Sequence, residues 1–185
     1  MSTLTQKPAP RRSGPRWSSA VQFAGVFLWI AGVGCTNPLQ EGAIADLGPE
    51  SPAIPLGPLH RPGQPCLVCH DGVEATELTV AGTIYERADA TKPIPDVLVR
   101  LVDARGTAYV TATNCAGNFF VRPGDFTPEY PMQVAIERDG FRQEMESPVN
   151  VEGSCATCHT NAPGPRSAGR VFLLSVAATL EDRCP

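Results

Sequence analysis

Histidine is scarce in this chain: His60, His70 and His159 are the only three among 185 residues. Beyond Met1 the only methionines are Met132 and Met145. So few imidazoles leave no separate acid–base constellation of the kind general catalysis needs, which argues against a substrate-converting enzyme. Long apolar runs are also missing. The stretch from Ala20 to Gly34, broken only by Gln22, is too short for a confident membrane span, and Val171 to Leu180 is shorter still. No convincing amphipathic helix is present. Basic clusters are absent after the first 34 residues, where 11 basic residues stand against 19 acidic ones, a net charge of −8. That balance excludes a nucleic-acid-binding face and suits a basic protein partner.

What is present is one five-residue pattern written twice. Cys66-Leu67-Val68-Cys69-His70 and Cys155-Ala156-Thr157-Cys158-His159 are both Cys-x-x-Cys-His. This is the attachment signature of c-type haem: two thiols become thioethers and the following imidazole ligates iron. Scattered at random, three His would almost never fill both positions. The pattern predicts two haem c groups, the first on Cys66 and Cys69 with His70 as proximal ligand, the second on Cys155 and Cys158 with His159. At these two motifs the chain resembles the broad class of multihaem c-type cytochromes. It lacks the helical periodicity of the compact small-cytochrome fold, so that fold is not expected. Candidate sixth ligands are His60, Met145 and Met132. Two rivals remain open, since four thiolates suit a tetrahedral zinc site and each Cys pair could instead close a small disulfide loop. A thioredoxin-like role is disfavoured because the βαβ setting is missing.

Lys7, Arg11, Arg12 and Arg16 precede the first acidic residue, Glu41, and the apolar run follows them. This order is that of a bacterial export signal over residues 1–34. Gly32-Val33-Gly34-Cys35 resembles the lipobox of bacterial lipoproteins, although Gly32 stands where Leu is usual. The resemblance implies lipidation at Cys35 and anchoring to a membrane, and Thr36 after it favours the outer membrane. The alternative is an ordinary Cys35 near a signal-peptidase site. The expected location is periplasmic or cell-surface, with a redox protein as partner. Cys115 and Cys184 are left over, and the sequence does not establish whether they pair.

Seven prolines between residues 36 and 65 predict an extended, semi-stiff tether. From residue 78 to 153, short segments rich in Val, Thr, Ile, Tyr and Phe alternate with turn residues, which predicts an all-β domain. Six strands are expected, at 78–86, 97–103, 108–114, 119–122, 132–138 and 141–151, the last interrupted at Pro148. Asp139-Gly140 is a strong hairpin signal. Ala81-Gly82-Thr83-Ile84-Tyr85, Pro95 through Asp103, and Thr113 with Gly117-Asn118-Phe119 resemble the carboxypeptidase-regulatory-like family. That resemblance implies a small transthyretin-like Greek-key β-sandwich acting as a scaffold or binding module, with no catalytic residues. Residues 171–180 are expected to add a seventh strand, within a segment 154–185 that carries the second motif. The first motif occupies 66–77.

The two motifs bracket the six strands. In an up-and-down sandwich an even number of crossings returns the chain to its starting end, so the motifs are expected to converge. Together these features predict an exported dihaem electron carrier. The alternative is a non-redox cell-envelope module closed by zinc or disulfides.

Overall fold

The computed structural model describes residues 37–54, 56–160, 163–175, 178 and 180–184. The chain divides into two units, residues 1–36 and 37–185. The expected export signal and Cys35 lie outside the described residues.

The second unit is all-β at its centre. Strands β1 (Val80–Thr83) and β4 (Asn118–Val121) form one antiparallel pair. Strands β2 (Leu98–Val102), β3 (Ala108–Ala112), β5 (Gln133–Arg138) and β6 (Phe141–Glu144) form a second antiparallel sheet in the order β3-β2-β5-β6. All six expected strands are present. Period-two burial explains why β2 takes this register: Val99 and Leu101 are fully buried while Leu98 and Arg100 face solvent. Val97, Phe119, Val121, Met132 and Ile136 complete a shared apolar core with Leu173 and Leu174.

The turns follow backbone chemistry. Asp139 and Gly140 both have positive φ, 52° and 83°, the geometry that keeps a two-residue hairpin twisted with β5 and β6. At Gly117, φ 66°, an added Cβ would lie 2.4 Å from Pro93 Cβ and 2.6 Å from the Ile84 carbonyl oxygen, so only glycine fits there.

Three expectations need correction. The strands are not laid up-and-down, because β1 pairs with β4 rather than with β2. The sixth strand ends at Glu144; beyond it the Met145 amide donates to Val134 O and a Met132–Val149 bridge follows, and Pro148 has no N–H to give the ladder. The described part of the segment expected to be a tether, residues 37–54 and 56–65, is folded. Helix α1 (Pro38–Asp46) starts at Asn37, whose side chain accepts from the Leu39 amide, with Pro38 in the first turn where its missing N–H costs nothing. Gln40 Nε2 then donates to the Val68 carbonyl (3.1 Å) and to Asp71 Oδ2 (2.5 Å), which fastens α1 to the first motif.

The C-terminal run adds a short parallel strip rather than a full strand. Tyr85 N donates to Val171 O (2.9 Å) and Leu173 N donates to Tyr85 O (3.0 Å). Cys115 and Cys184 form a disulfide, tying the chain end to the β3–β4 turn.

Leu101 is wholly buried at the centre of this core. Leu101→Ala should destabilise the fold by about 2–5 kcal/mol through lost transfer energy and a residual cavity. A lowered urea midpoint at unchanged slope would show it, and an unchanged midpoint would contradict the packing described.

Candidate functional site

Both Cys-x-x-Cys-His motifs fold into single helical turns. The first is a 3₁₀ turn, Cys66–Val68, and the second is helix α2, Cys155–Cys158. In each, the histidine amide donates back to the carbonyl of the first cysteine, His70 to Cys66 at 3.0 Å and His159 to Cys155 at 2.9 Å. One turn of helix sets residues three apart on one side, which is why two residues separate the cysteines.

Each imidazole is oriented by a backbone carbonyl. His70 Nδ1 lies 2.7 Å from Thr76 O, and His159 Nδ1 lies 2.9 Å from Gly169 O. A carbonyl only accepts, so Nδ1 carries the hydrogen, and in the neutral ring Nε2 then keeps its lone pair. That tautomer is the one a metal ligand needs, held by the outer-shell contact such ligands ordinarily have. His60 has the same arrangement, with Nδ1 on Gly57 O. The Cys-x-x-Cys-His pattern does not contain these carbonyls, although two of them belong to positive-φ glycines, Gly57 and Gly169, which mark turns in the sequence.

Strand β1 brings the motifs together. Ala81 N donates to Gly153 O (3.0 Å), and Ser154, the residue before α2, bridges Ala81 in parallel. Gly153 has no room for a side chain, since a Cβ would lie 2.0 Å from Thr79 O. Gly82 supplies the other close approach: a Cβ there would lie 2.8 Å from both Cβ and Sγ of Cys155. The 3₁₀ turn of the first motif also packs on β1. The motifs therefore converge as expected, on one strand rather than through a count of crossings.

Three of the four motif thiols are desolvated, and Cys158 is exposed. Burial pushes the Cys155 thiol up to about 12, and the neighbouring Cys66 and Cys158 add to the rise. Burial also raises Cys66 and Cys69, for Cys69 against the opposing pull of Arg61. Asp71 goes the other way, to about 2, because Gln40 and then the amides of Glu74 and Val73 donate to its carboxylate. That Asx turn shapes the loop leading from His70 to Thr76.

A cavity of about 330 Å³ opens beside the first motif. Leu47, Leu78, Phe120 and Cys66 line it, together with His70 and His60. The two imidazole rings are 5.8 Å apart between centroids and within 17° of parallel. Arg122 stands at the same cavity, its guanidinium over the Phe120 ring.

Of the candidate sixth ligands, only His60 is brought to a motif by a described contact. Met132 is core, 1% exposed, with Val149 across from it. Met145 continues the β6 edge, its amide donating to Val134 O at 3.0 Å. A four-sulfur zinc site needs its ligands around one point. Among the described residues, no three of His, Cys, Asp and Glu are gathered in that way.

Set against known proteins, the chain matches no family model, no curated protein and no solved structure.

A thiol at about 12 holds roughly a thousandfold less thiolate near pH 8 than one at the ordinary 9.0. In the chain free of any adduct, Cys155 should therefore be the slowest of the four motif cysteines to react with iodoacetamide. Its rate should climb as pH rises toward 12. Peptide mapping across a pH series reads this, and Cys155 labelling first at pH 8 would contradict it.

Proposed function

We propose that this chain is an exported dihaem c-type cytochrome-like lipoprotein that transfers electrons. The observation carrying the proposal is that both Cys-x-x-Cys-His motifs adopt one and the same arrangement. Each is a single turn with its histidine held by a backbone carbonyl at Nδ1, which leaves Nε2 free to ligate. Zinc ribbons and disulfide loops do not require that histidine at all.

The residues fit the group. A cavity with apolar walls, two thiols on one turn and an oriented imidazole is what covalent attachment of a flat porphyrin asks for. Arg122, at the cavity and free of a carboxylate partner among the described residues, suits a propionate. Attachment would add each S–H across a vinyl group, sulfur to one carbon and hydrogen to the other. Zinc binding would have to expel the protons that burial keeps on Cys66 and Cys155. Haem would supply the one-electron chemistry at iron; this chain would supply ligation, spacing and water exclusion. The first two tasks fall to Cys66, Cys69 and His70 at one site and to Cys155, Cys158 and His159 at the other. Strand β1 carries both motifs, which suits exchange between two cofactors.

No described helix is long and apolar enough to cross a membrane. Attachment through lipid on Cys35 is the anchoring proposed, at the periplasmic or outer surface, with a basic redox protein as partner. The sandwich, with its resemblance to carboxypeptidase-regulatory-like modules, serves as the scaffold.

Expression in a host with a working cytochrome c maturation pathway tests the proposal. A denaturing gel stained for haem peroxidase activity should show covalent haem. Intact mass should give two haems per chain, reduced to one in Cys158→Ser. Full-length protein without stain would overturn the cytochrome assignment; zinc found in its place would establish the metal-closed module.

A further inference from the structure

We propose that His60 is the second axial ligand of the first haem site, delivered by a strap over residues 57–64 that the Thr83–Asn118 pair clamps to the sandwich. The proposal rests on the haem assignment above and adds to it the identity and mechanical support of the ligand.

Thr83 and Asn118 are cross-strand partners at the end of the β1–β4 ladder, and both are buried. Two polar side chains in that position need partners, or they cost stability. They find one in each other, Thr83 Oγ1 donating to Asn118 Oδ1 at 2.7 Å. Their remaining capacity goes to the strap. Asn118 Nδ2 donates to His60 O (2.9 Å) and to Pro58 O (3.3 Å), while Gly63 N donates to Thr83 Oγ1 (2.7 Å). Asn114 Nδ2 adds a bond to Pro58 O at 2.7 Å. The strap is thus gripped on both sides of His60.

Its turn is over-determined as well. Arg61 has φ 49°, an unfavourable conformation for a residue with a side chain. Its guanidinium is fixed by Glu50 (3.0 Å), Gln64 (2.8 Å) and the Gly48 carbonyl (2.9 Å). Backbone held this way next to an oriented imidazole points to a positional requirement.

The spacing of the two near-parallel rings suits ligation of one metal. His60 and His70 line one cavity with Cys66 and Cys69. With metal–imidazole bonds of about 2 Å, two rings on one metal have centres roughly 6 Å apart; here the centroids are 5.8 Å apart. Both rings have Nδ1 on a carbonyl, so both offer Nε2. His159 is bound elsewhere, to Gly169, so the second site has no further imidazole to draw on within the chain.

The test uses the full haem-loaded protein. In His60→Ala, covalent haem stain should stay at two per chain while one haem changes from low-spin to high-spin in its absorption and electron paramagnetic resonance spectra. Added imidazole should restore the low-spin signal. Asn118→Ala, which removes both Nδ2 bonds to the strap, should keep both haems but let carbon monoxide onto the reduced first haem at least about tenfold faster. Unchanged spectra in His60→Ala, with both haems present, would overturn this proposal and leave the cytochrome assignment standing. If His60→Ala does not fold, the reduced wild-type protein decides: rapid uptake of two carbon monoxide molecules per chain would also overturn it, and rapid uptake of no more than one would support it. Absence of covalent haem would overturn both proposals together.

Discussion

Strand β1 is buried at all four of its residues, and the rest of the molecule is arranged by what that requires. A buried strand must satisfy its N–H and C=O groups, on its edges or through side chains. Strand β4 takes one edge, from Val80 opposite Val121 to Thr83 opposite Asn118. The backbone just before α2 takes part of the other, through Gly153 and Ser154 at Ala81. Just past β1, the strip at 171–174 covers Tyr85 and Glu86. The chain following β6 is therefore recruited as sheet edge, and the second motif is delivered to β1 because its lead-in completes β1's hydrogen bonding. Gly82 and Gly153 allow the close approach, each where a methyl group would collide.

Burial imposed this way has a chemical consequence. The Cys155 sulfur, pressed against Gly82, cannot ionise readily, and its neighbour Cys66 makes ionisation harder still. A site that wants thiolates, such as structural zinc, would have to overcome both effects before binding. Desolvation thus raises the proton cost of any chemistry at Cys155 that passes through a thiolate.

The strands were legible in the sequence because period-two burial and turn residues are local signals. Val97, Val99 and Leu101 alternate with Leu98 and Arg100, and Asp139-Gly140 and Gly117 sit where positive φ is needed. The partner of β1 was not legible: nothing local in Val80–Thr83 distinguishes β4 from β2. The motif residues announced themselves by spacing, whereas their supports did not. The carbonyls that orient the three imidazoles come from Thr76 and from two glycines with positive φ, Gly57 (140°) and Gly169 (81°), which stand 3 and 10 residues from the imidazoles they serve. Residues 36–65 read as a tether because prolines and glycines suppress periodicity. Within them, 37–54 and 56–65 are folded all the same, since Asn114, Asn118 and Arg61 hold them by main-chain carbonyls that leave no pattern in the sequence. The pairing of Cys115 with Cys184 likewise needed the fold to bring their Cα atoms to 5.7 Å.

The two motifs are copies in sequence but not in surroundings. The first faces a cavity of about 330 Å³, a second imidazole and an arginine; the second lies on β1 with Cys158 exposed. Three histidines cannot complete two sites in the same way, and the structure spends two of them at the first. On the haem assignment, that inequality separates the two cofactors in ligation and in solvent exposure, the features that set reduction potential. A difference in potential between neighbouring centres gives electron flow a direction, which two identical sites on one strand could not do. The scarcity of histidine is then a source of asymmetry: with one imidazole more, both ends of the pair could have been alike.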